Sequence, residues 1–426
     1  MQASESVRAP PSWAAHGRVA IILLVLLQGT GTLQVFLGAG SLLRLLKTLL
    51  VVVMLTAVAF GLRHVLRTAR AAPELLLLHV LAVGSAAWSV EPGLTLKAAL
   101  PLLATCSFML AIASAYSMRQ ILLLLGLVAT WMAVASLVAV ALVPSARGTP
   151  PWDDVWRGVF AHKNALGAAS AFGLLLAANA ALVSRGRLRL LLAAGALLNA
   201  MFLLGSESRT SQLICIVGLA SLAFALISRR RLAASVVILL GFLLAALAVY
   251  FALTRGLLDP VLAAAGRKPT LSGRIPLWEV TWPFVAERPW LGWGYQAFWN
   301  PLSARVLSIA DSPSILYVPF YSHSGLIETL LNLGLAGVLL LVLILVRAFG
   351  AAFGLLGRAV GGQEVYAAFT FVLCFLLLNV TESSILDRDG ILWMQFVLIT
   401  AKLGLLGAAS ARRALPAART SLRAGT

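Results

Sequence analysis

The run "SHSGLIETLLNLGLAGVLLLVLILV", residues 322–346, puts His323 between two serines at the mouth of a hydrocarbon stretch, with Glu328 one turn inside. Imidazole is the side chain that can take a proton from a hydroxyl at neutral pH, the work of a general base. Glu328 can stabilise the exposed N–H groups of a helix start or hold a hydroxyl, and the helix dipole favours the first. Further on, "ESSILDRDG" (382–390) supplies Glu382 and Asp389. Either could orient the imidazole if that loop folds over it. Asp389 is paired with His323 as the catalytic expectation, with Glu382 a further candidate.

Basic residues form a second group. Arg209 follows "GSES" and opens an apolar run, so it stands near a helix N-terminus, where free N–H groups and the dipole favour an anion. Arg274 and Arg288 lie in "GRIPLWEVTWPFVAERPWLGWGYQAFW". Arg147 and Lys163 lie in an earlier connection, beside the candidates His162 and Asn164. Guanidinium offers planar, paired donors and keeps its charge, which suits phosphate or diphosphate. A lone arginine more often reaches lipid headgroups; a collection on one face argues for a ligand. The sequence has no glycine-rich phosphate loop, no D-x-D pair and no H-E-x-x-H, and Cys106, Cys215 and Cys374 sit in apolar stretches without metal-site spacing. No metal and no cofactor are expected. A lipid-borne, already activated donor fits better than a cytosolic nucleotide.

The elements that must position these residues follow from composition. The chain is 61% hydrophobic and 11% charged, with a mean hydropathy of +0.96. Soluble domains are about half apolar and roughly a quarter charged. Repeated apolar stretches of about 18 to 22 residues match a ~30 Å hydrocarbon core. Nothing alternates like a barrel strand. The fold class is an all-α polytopic membrane protein.

Twelve spans are predicted, at 18–38, 42–62, 73–89, 94–115, 120–143, 163–184, 188–205, 210–228, 232–254, 324–346, 364–381 and 391–409. Residues 1–254 thus carry nine spans and 255–323 form a large outer loop with amphipathic helices. Residues 324–426 carry three spans and a tail. The net charge of +18 sits mainly in short loops such as "RHVLRTAR", "SRGRLR" and "SRRR", which mark the cytoplasmic face. It orients a membrane protein and does not point to nucleic acid. Both termini are expected inside, and the polar N-terminal "MQASESVRAPPSWAAHGR" reads as a cytoplasmic tail.

That orientation leaves outer basic residues it does not explain: Arg147, Arg157, Lys163, Arg209, Arg255, Arg267, Lys268, Arg274, Arg288, Arg305 and Arg388. His162, His323, Asp153, Asp154, Glu207, Glu382, Asp387 and Asp389 lie on the same side. Polar groups at membrane depth are functional candidates, so any chemistry belongs to the outer face. Trp278, Trp282 and Val285 recur at helical spacing in the outer loop, as on an interfacial helix.

Several blocks, in order, resemble the O-antigen ligase and polymerase superfamily of bacterial envelope glycosyltransferases. "AAWSVEPGLTLKAAL" looks like its early W-S-x-x-P segment, "GVFAHKNALG" its G-x-F-x-H-x-N-x-L-G block, and "GSESRTSQL" its S-R-x-x block. "GRIPLWEVTWPFVAERPWLGWGYQAF", "SHSGLIETLLNLGLAGVLL" and "NVTES" are similar to the later blocks. Together they span residues 86 to 383. The resemblance implies a metal-independent enzyme of the GT-C type with a large periplasmic loop, in the bacterial inner membrane. It would move a glycan from undecaprenyl diphosphate to a sugar hydroxyl, with inversion, at a periplasmic site. For a ligase the acceptor is lipid A–core oligosaccharide; for a polymerase it is another repeat unit. The twelve spans and the late loop favour ligase. His323 takes the place of the family's histidine, and Arg209 and Arg274 those of its arginines. Ser324 departs from the Asn of many members and leaves that position's role open. A lipid-linked oligosaccharide flippase is the non-enzymatic alternative. It is disfavoured because the unexplained charges stay at one rim instead of reaching both faces.

Overall fold

The computed structural model describes residues 12–38, 40–148, 155–227, 241, 274–315, 317–357 and 362–423. Among these every regular element is a helix. In order come α1 (Ser12–Gln28), α2 (Thr32–Leu37), α3 (Ser41–Phe60), α4 (Leu62–Ala71), α5 (Pro73–Gly84), α6 (Pro92–Ala115), α7 (Met118–Leu142) and α8 (Lys163–Leu182). Then follow α9 (Gly186–Gly205), α10 (Arg209–Ile227), α11 (Arg274–Glu287), α12 (Ala304–Ala310), α13 (Gly325–Gly357), α14 (Gly362–Leu378) and α15 (Ile391–Arg423).

Among the described residues, seven helices are long and apolar enough to cross a membrane: α3, α6, α7, α8, α9, α13 and α15 over Ile391–Arg412. The α4–α5 pair, bent by 107°, makes eight if it counts as one span. Val19–Gln28, Arg209–Ala223 and Gly362–Leu378 are shorter apolar helices. Apart from Gly241, the predicted span 232–254 lies outside the described residues, as do Asp153, Asp154, Arg255, Arg267 and Lys268.

Two predicted spans are interrupted. The first, 18–38, breaks after Gln28, where Gly31 takes a positive φ of 72° in a turn. The tenth, 324–346, breaks at Gly334, whose φ of 62° and ψ of −159° suit glycine alone. The backbone groups freed by that break find partners in the preceding outer segment. Trp293 N–H donates to Leu331 O at 2.7 Å and Gly294 N–H to Asn332 O at 3.1 Å. Leu335 N–H donates to Pro289 O at 2.8 Å and Ala336 N–H to Trp290 O at 3.1 Å. Irregular backbone within an apolar bundle is tolerated when protein groups pair it in this way.

The core is built where small residues let helices approach. A Cβ at Gly195 of α9 would overlap Thr130 of α7, and one at Gly173 of α8 would overlap Asn199 of α9. Elsewhere aromatic rings fill the space between α14 and α15, with Phe375 and Phe396 stacked at 4.4 Å between centroids. At the end of the bundle opposite His323, basic side chains close helix C-termini. Arg119 donates to Val183 O at 2.7 Å. Lys402 donates to Ala113 O at 3.1 Å and Tyr116 O at 2.6 Å. Arg347 donates to Ala71 O at 2.6 Å and pairs with Glu74 at 3.0 Å. Terminal carbonyls lack intrahelical partners and favour cations, so these residues answer a need of the fold itself.

Candidate active site

The start of α13 is fastened from both sides. Trp278 of α11 donates its indole N–H to Ser322 O at 2.7 Å. Ser322 N–H donates to Glu328 Oε2 at 3.0 Å, and the Ser322 hydroxyl to Ser324 O at 2.9 Å. Glu328 also accepts from Trp299 Nε1 at 3.1 and 3.0 Å and from Asn332 Nδ2 at 3.3 Å. It is buried and organises the chain around His323. His323 itself has a φ of 54°, a left-handed conformation that typically costs a non-glycine residue ~1–3 kcal/mol and is held only where surroundings over-determine it.

Asn379, just past α14, brings the second part of the site. Its carbonyl accepts from Gly325 N–H at 2.8 Å. Its side-chain oxygen accepts from Ser384 N–H at 2.8 Å and Ile385 N–H at 3.1 Å. The loop is thereby folded back over α13, and Glu382 arrives beside His323, with Oε2 3.8 Å from Nδ1. Its other oxygen, Oε1, accepts from Asn164 Nδ2 at 3.1 Å and from Arg274 Nη2. Four distant parts of the sequence meet on one buried carboxylate.

His162 caps α8, its Nδ1 accepting from Asn164 N–H at 3.2 Å. Burial lowers its pKa below the ordinary 6.5; Glu382 works against this, while His323, Lys163 and Arg274 add to the lowering. His162 is therefore neutral at neutral pH. Tyr321 lays its ring against His323, centroids 4.3 Å apart. A cavity of about 650 Å³ opens here, lined by the Gly29–Gly31 turn, Arg157, His162, Asn164, Tyr321, Glu382, Asp389 and Trp393. Around Glu382, His323 Nδ1, Arg274 Nε, Thr381 Oγ1 and Ser383 Oγ are buried without hydrogen-bond partners among the described residues. Such orphans are rare in folded proteins and mark a place where a ligand or water completes the set.

Not every candidate joins this cluster. Asp389 lines the cavity but pairs with Lys47 at 3.1 Å and Arg388 at 3.6 Å; Glu382 holds the place beside the imidazole. Arg209 is exposed at the first residue of α10 and donates to Gln212 Oε1 at 3.2 Å. Arg147 donates to Val140 O at 2.7 Å and Ala141 O at 3.3 Å, closing the end of α7. Arg288 packs on Trp293, 4.3 Å from the ring centroid, and does not line the cavity. Trp278 and Val285 are buried, whereas Trp282 is exposed, so α11 presents the first two inward in place of one shared lipid-facing stripe. Arg157, one of the unexplained outer basic residues, lines the cavity; Tyr321 and Asn379 are site residues that no spacing in the sequence singles out, although "NVTES" contains Asn379.

Chemically, the arrangement pairs a proton acceptor with a fixed positive charge. The imidazole Nδ1 faces one oxygen of Glu382 at 3.8 Å and Arg274 holds the other, so an acid–base side chain and a cation share one carboxylate. The fold and site together define an all-helical membrane protein with a polar cavity at one end of its bundle, lined by Glu382, with His323 and Arg274 on that carboxylate but outside the lining itself. Residues 193–342 match the family described as O-antigen ligase (Wzy_C). The chain is also 28% identical over 281 residues to the exopolysaccharide production protein ExoQ of Rhizobium meliloti (strain 1021), a match covering 64% of this chain and 62% of that protein. Both matches support the ligase and polymerase superfamily that the ordered blocks resemble.

Proposed function

We propose that the chain is a glycosyltransferase that moves a glycan from a lipid diphosphate to a sugar hydroxyl at the outer face of the inner membrane. The observation that carries this reading is the meeting of His323, Arg274 and Asn164 on Glu382, a carboxylate that lines the cavity. His323 takes the proton of the acceptor hydroxyl as its oxygen attacks the anomeric carbon. The bond from that carbon to the diphosphate breaks, and Arg274 meets the charge on the leaving group. Single displacement from the opposite side gives inversion. Arg209 assists with the diphosphate when a bound lipid draws it in. No cofactor takes part.

Within this chemistry the first reading is O-antigen ligation, with lipid A–core oligosaccharide as acceptor and undecaprenyl diphosphate as donor carrier. The likeness to an exopolysaccharide production protein favours a second reading, polymerisation of repeat units. One experiment separates them: the surface glycans of a deletion strain. Free lipid-linked polymer beside bare core supports ligation, and loss of polymer with single repeats retained supports polymerisation. Unchanged glycans would overturn both.

A further inference from the structure

Trp293 holds two arginines. The guanidinium carbon of Arg288 lies 4.3 Å from its ring centroid and that of Arg305 lies 4.8 Å away. An indole face fixes a cation in place but gives its N–H groups no acceptor. Among the described residues neither arginine has a carboxylate within ion-pair distance. Arg288 reaches Trp88 O at a long 3.5 Å, and Arg305 Nε is buried with no hydrogen-bond partner among the described residues. Glu287 and Glu91 act on Arg305 from further off, while burial and Arg288 oppose its charge. Glu91 is already engaged by Asn300 Nδ2 at 3.1 Å. Two neighbouring like charges raise each other's energy until an anion joins them.

The surroundings narrow the kind of anion. Trp290 is 71% and Leu291 42% exposed, and Trp88 Nε1 pins Leu291 O at 2.9 Å. Exposed tryptophan beside arginine is the composition of a bilayer interface, where an amphiphile sits with its head near the cations and its tail in hydrocarbon. Guanidinium forks match phosphate oxygens in pairs. We infer that Arg288 and Arg305, packed on Trp293, form a second anion site that takes the phosphate of a membrane-anchored acceptor glycolipid. The site stands apart from the Arg274–Glu382 cluster. It rests on the proposed transfer between two lipid-anchored glycans, whose charged heads repel and need separate cationic seats. Trp293 N–H bonds to Leu331 O, so this seat is tied to the same helix start that carries His323.

The test uses the full chain in phosphatidylcholine nanodiscs, with farnesyl diphosphate as the probe and native mass spectrometry to count bound molecules. Wild type should bind two, Arg274→Gln one, and the double variant Arg288→Gln/Arg305→Gln one, its second affinity falling by about tenfold or more, as expected for lost charge-assisted bonds. Glutamine keeps part of the stem on Trp293, and retained binding at Arg274 certifies the fold. If the glutamine pair loses both sites, Arg288→Lys/Arg305→Lys decides, because it keeps the charges and should restore the second molecule; failure to restore it overturns the inference. Two molecules bound unchanged in the glutamine pair would also overturn it. So would equal binding of inorganic pyrophosphate, which makes the site a soluble-anion site. Displacement by phosphatidylglycerol at equal affinity would mark an ordinary headgroup seat and overturn the acceptor assignment. Two molecules still bound in Arg274→Gln would count against the proposed catalytic site and leave this inference standing.

Discussion

A carboxylate shared by an imidazole and a guanidinium has two separable duties, and variants can tell them apart. Glu382→Gln keeps an oxygen for Asn164 and Arg274 but removes the charge facing His323 at 3.8 Å. It should lower the saturated transfer rate while donor affinity stays close to wild type. Asp389→Asn should leave that rate within about threefold, because surface ion pairs such as Lys47–Asp389 contribute little. His323→Ala should cut turnover by ~10²–10⁴-fold, the usual share of general-base catalysis. Steady-state kinetics on purified variants with measured donor binding check all three. An unchanged rate in His323→Ala with weakened binding would reassign His323 to donor recognition. His162 adds a pH dependence. Its folded pKa lies below the ordinary 6.5, so the unfolded chain binds a proton more readily than the folded one. The stability associated with neutral His162 is therefore full above about pH 6.5 and declines as pH falls through that value towards the folded pKa. Thermal unfolding of His162→Gln should vary less over this acid range than that of wild type.

At the level of elements, the break in α13 is the feature on which the site depends. Gly334 occupies a conformation other residues avoid, and a Cβ there would be driven into the backbone of Trp290. Gly334→Ala should cost on the order of 2–3 kcal/mol from backbone strain alone, read as a lower unfolding temperature in detergent. The same change should loosen the 289–294 segment, so activity should fall even in the fraction that remains folded. This break explains why α13 is legible in the sequence while its shape is not. Hydropathy registers "GLIETLLNLGLAGVLL" as one apolar stretch, and a glycine in such a run is commonplace. Only the outer segment, by offering Pro289 O and Trp290 O to Leu335 and Ala336, makes the bend favourable. The residue types of the site were legible for a different reason: His323, Glu382 and Arg274 are costly near hydrocarbon and stand out. Which carboxylate meets the imidazole was not legible. That choice lies in Asn379, whose side-chain oxygen folds the loop by accepting from the backbone N–H groups of Ser384 and Ile385, a contact that no residue pattern announces.

At the scale of the whole molecule, the two ends of the bundle use positive charge differently. One end spends Arg119, Lys402 and Arg347 on helix C-termini, and Arg185, Arg187 and Arg189 cluster there at the start of α9. The other end gathers Arg274, Arg288 and Arg305 around acidic, aromatic and histidine side chains. Short loops rich in arginine stay on the cytoplasmic side during insertion, so the His323 end should face outward. The three cysteines are buried, which lets single new cysteines report orientation without removing the native ones. Leu302, 85% exposed, lies at the His323 end, and Arg187, also exposed, lies at the other. A membrane-impermeant maleimide added to intact spheroplasts should label Leu302→Cys and spare Arg187→Cys until the membrane is permeabilised. The reverse pattern would put the cavity in the cytoplasm, where a soluble activated donor could reach it, and would remove the physical reason for a lipid-borne one.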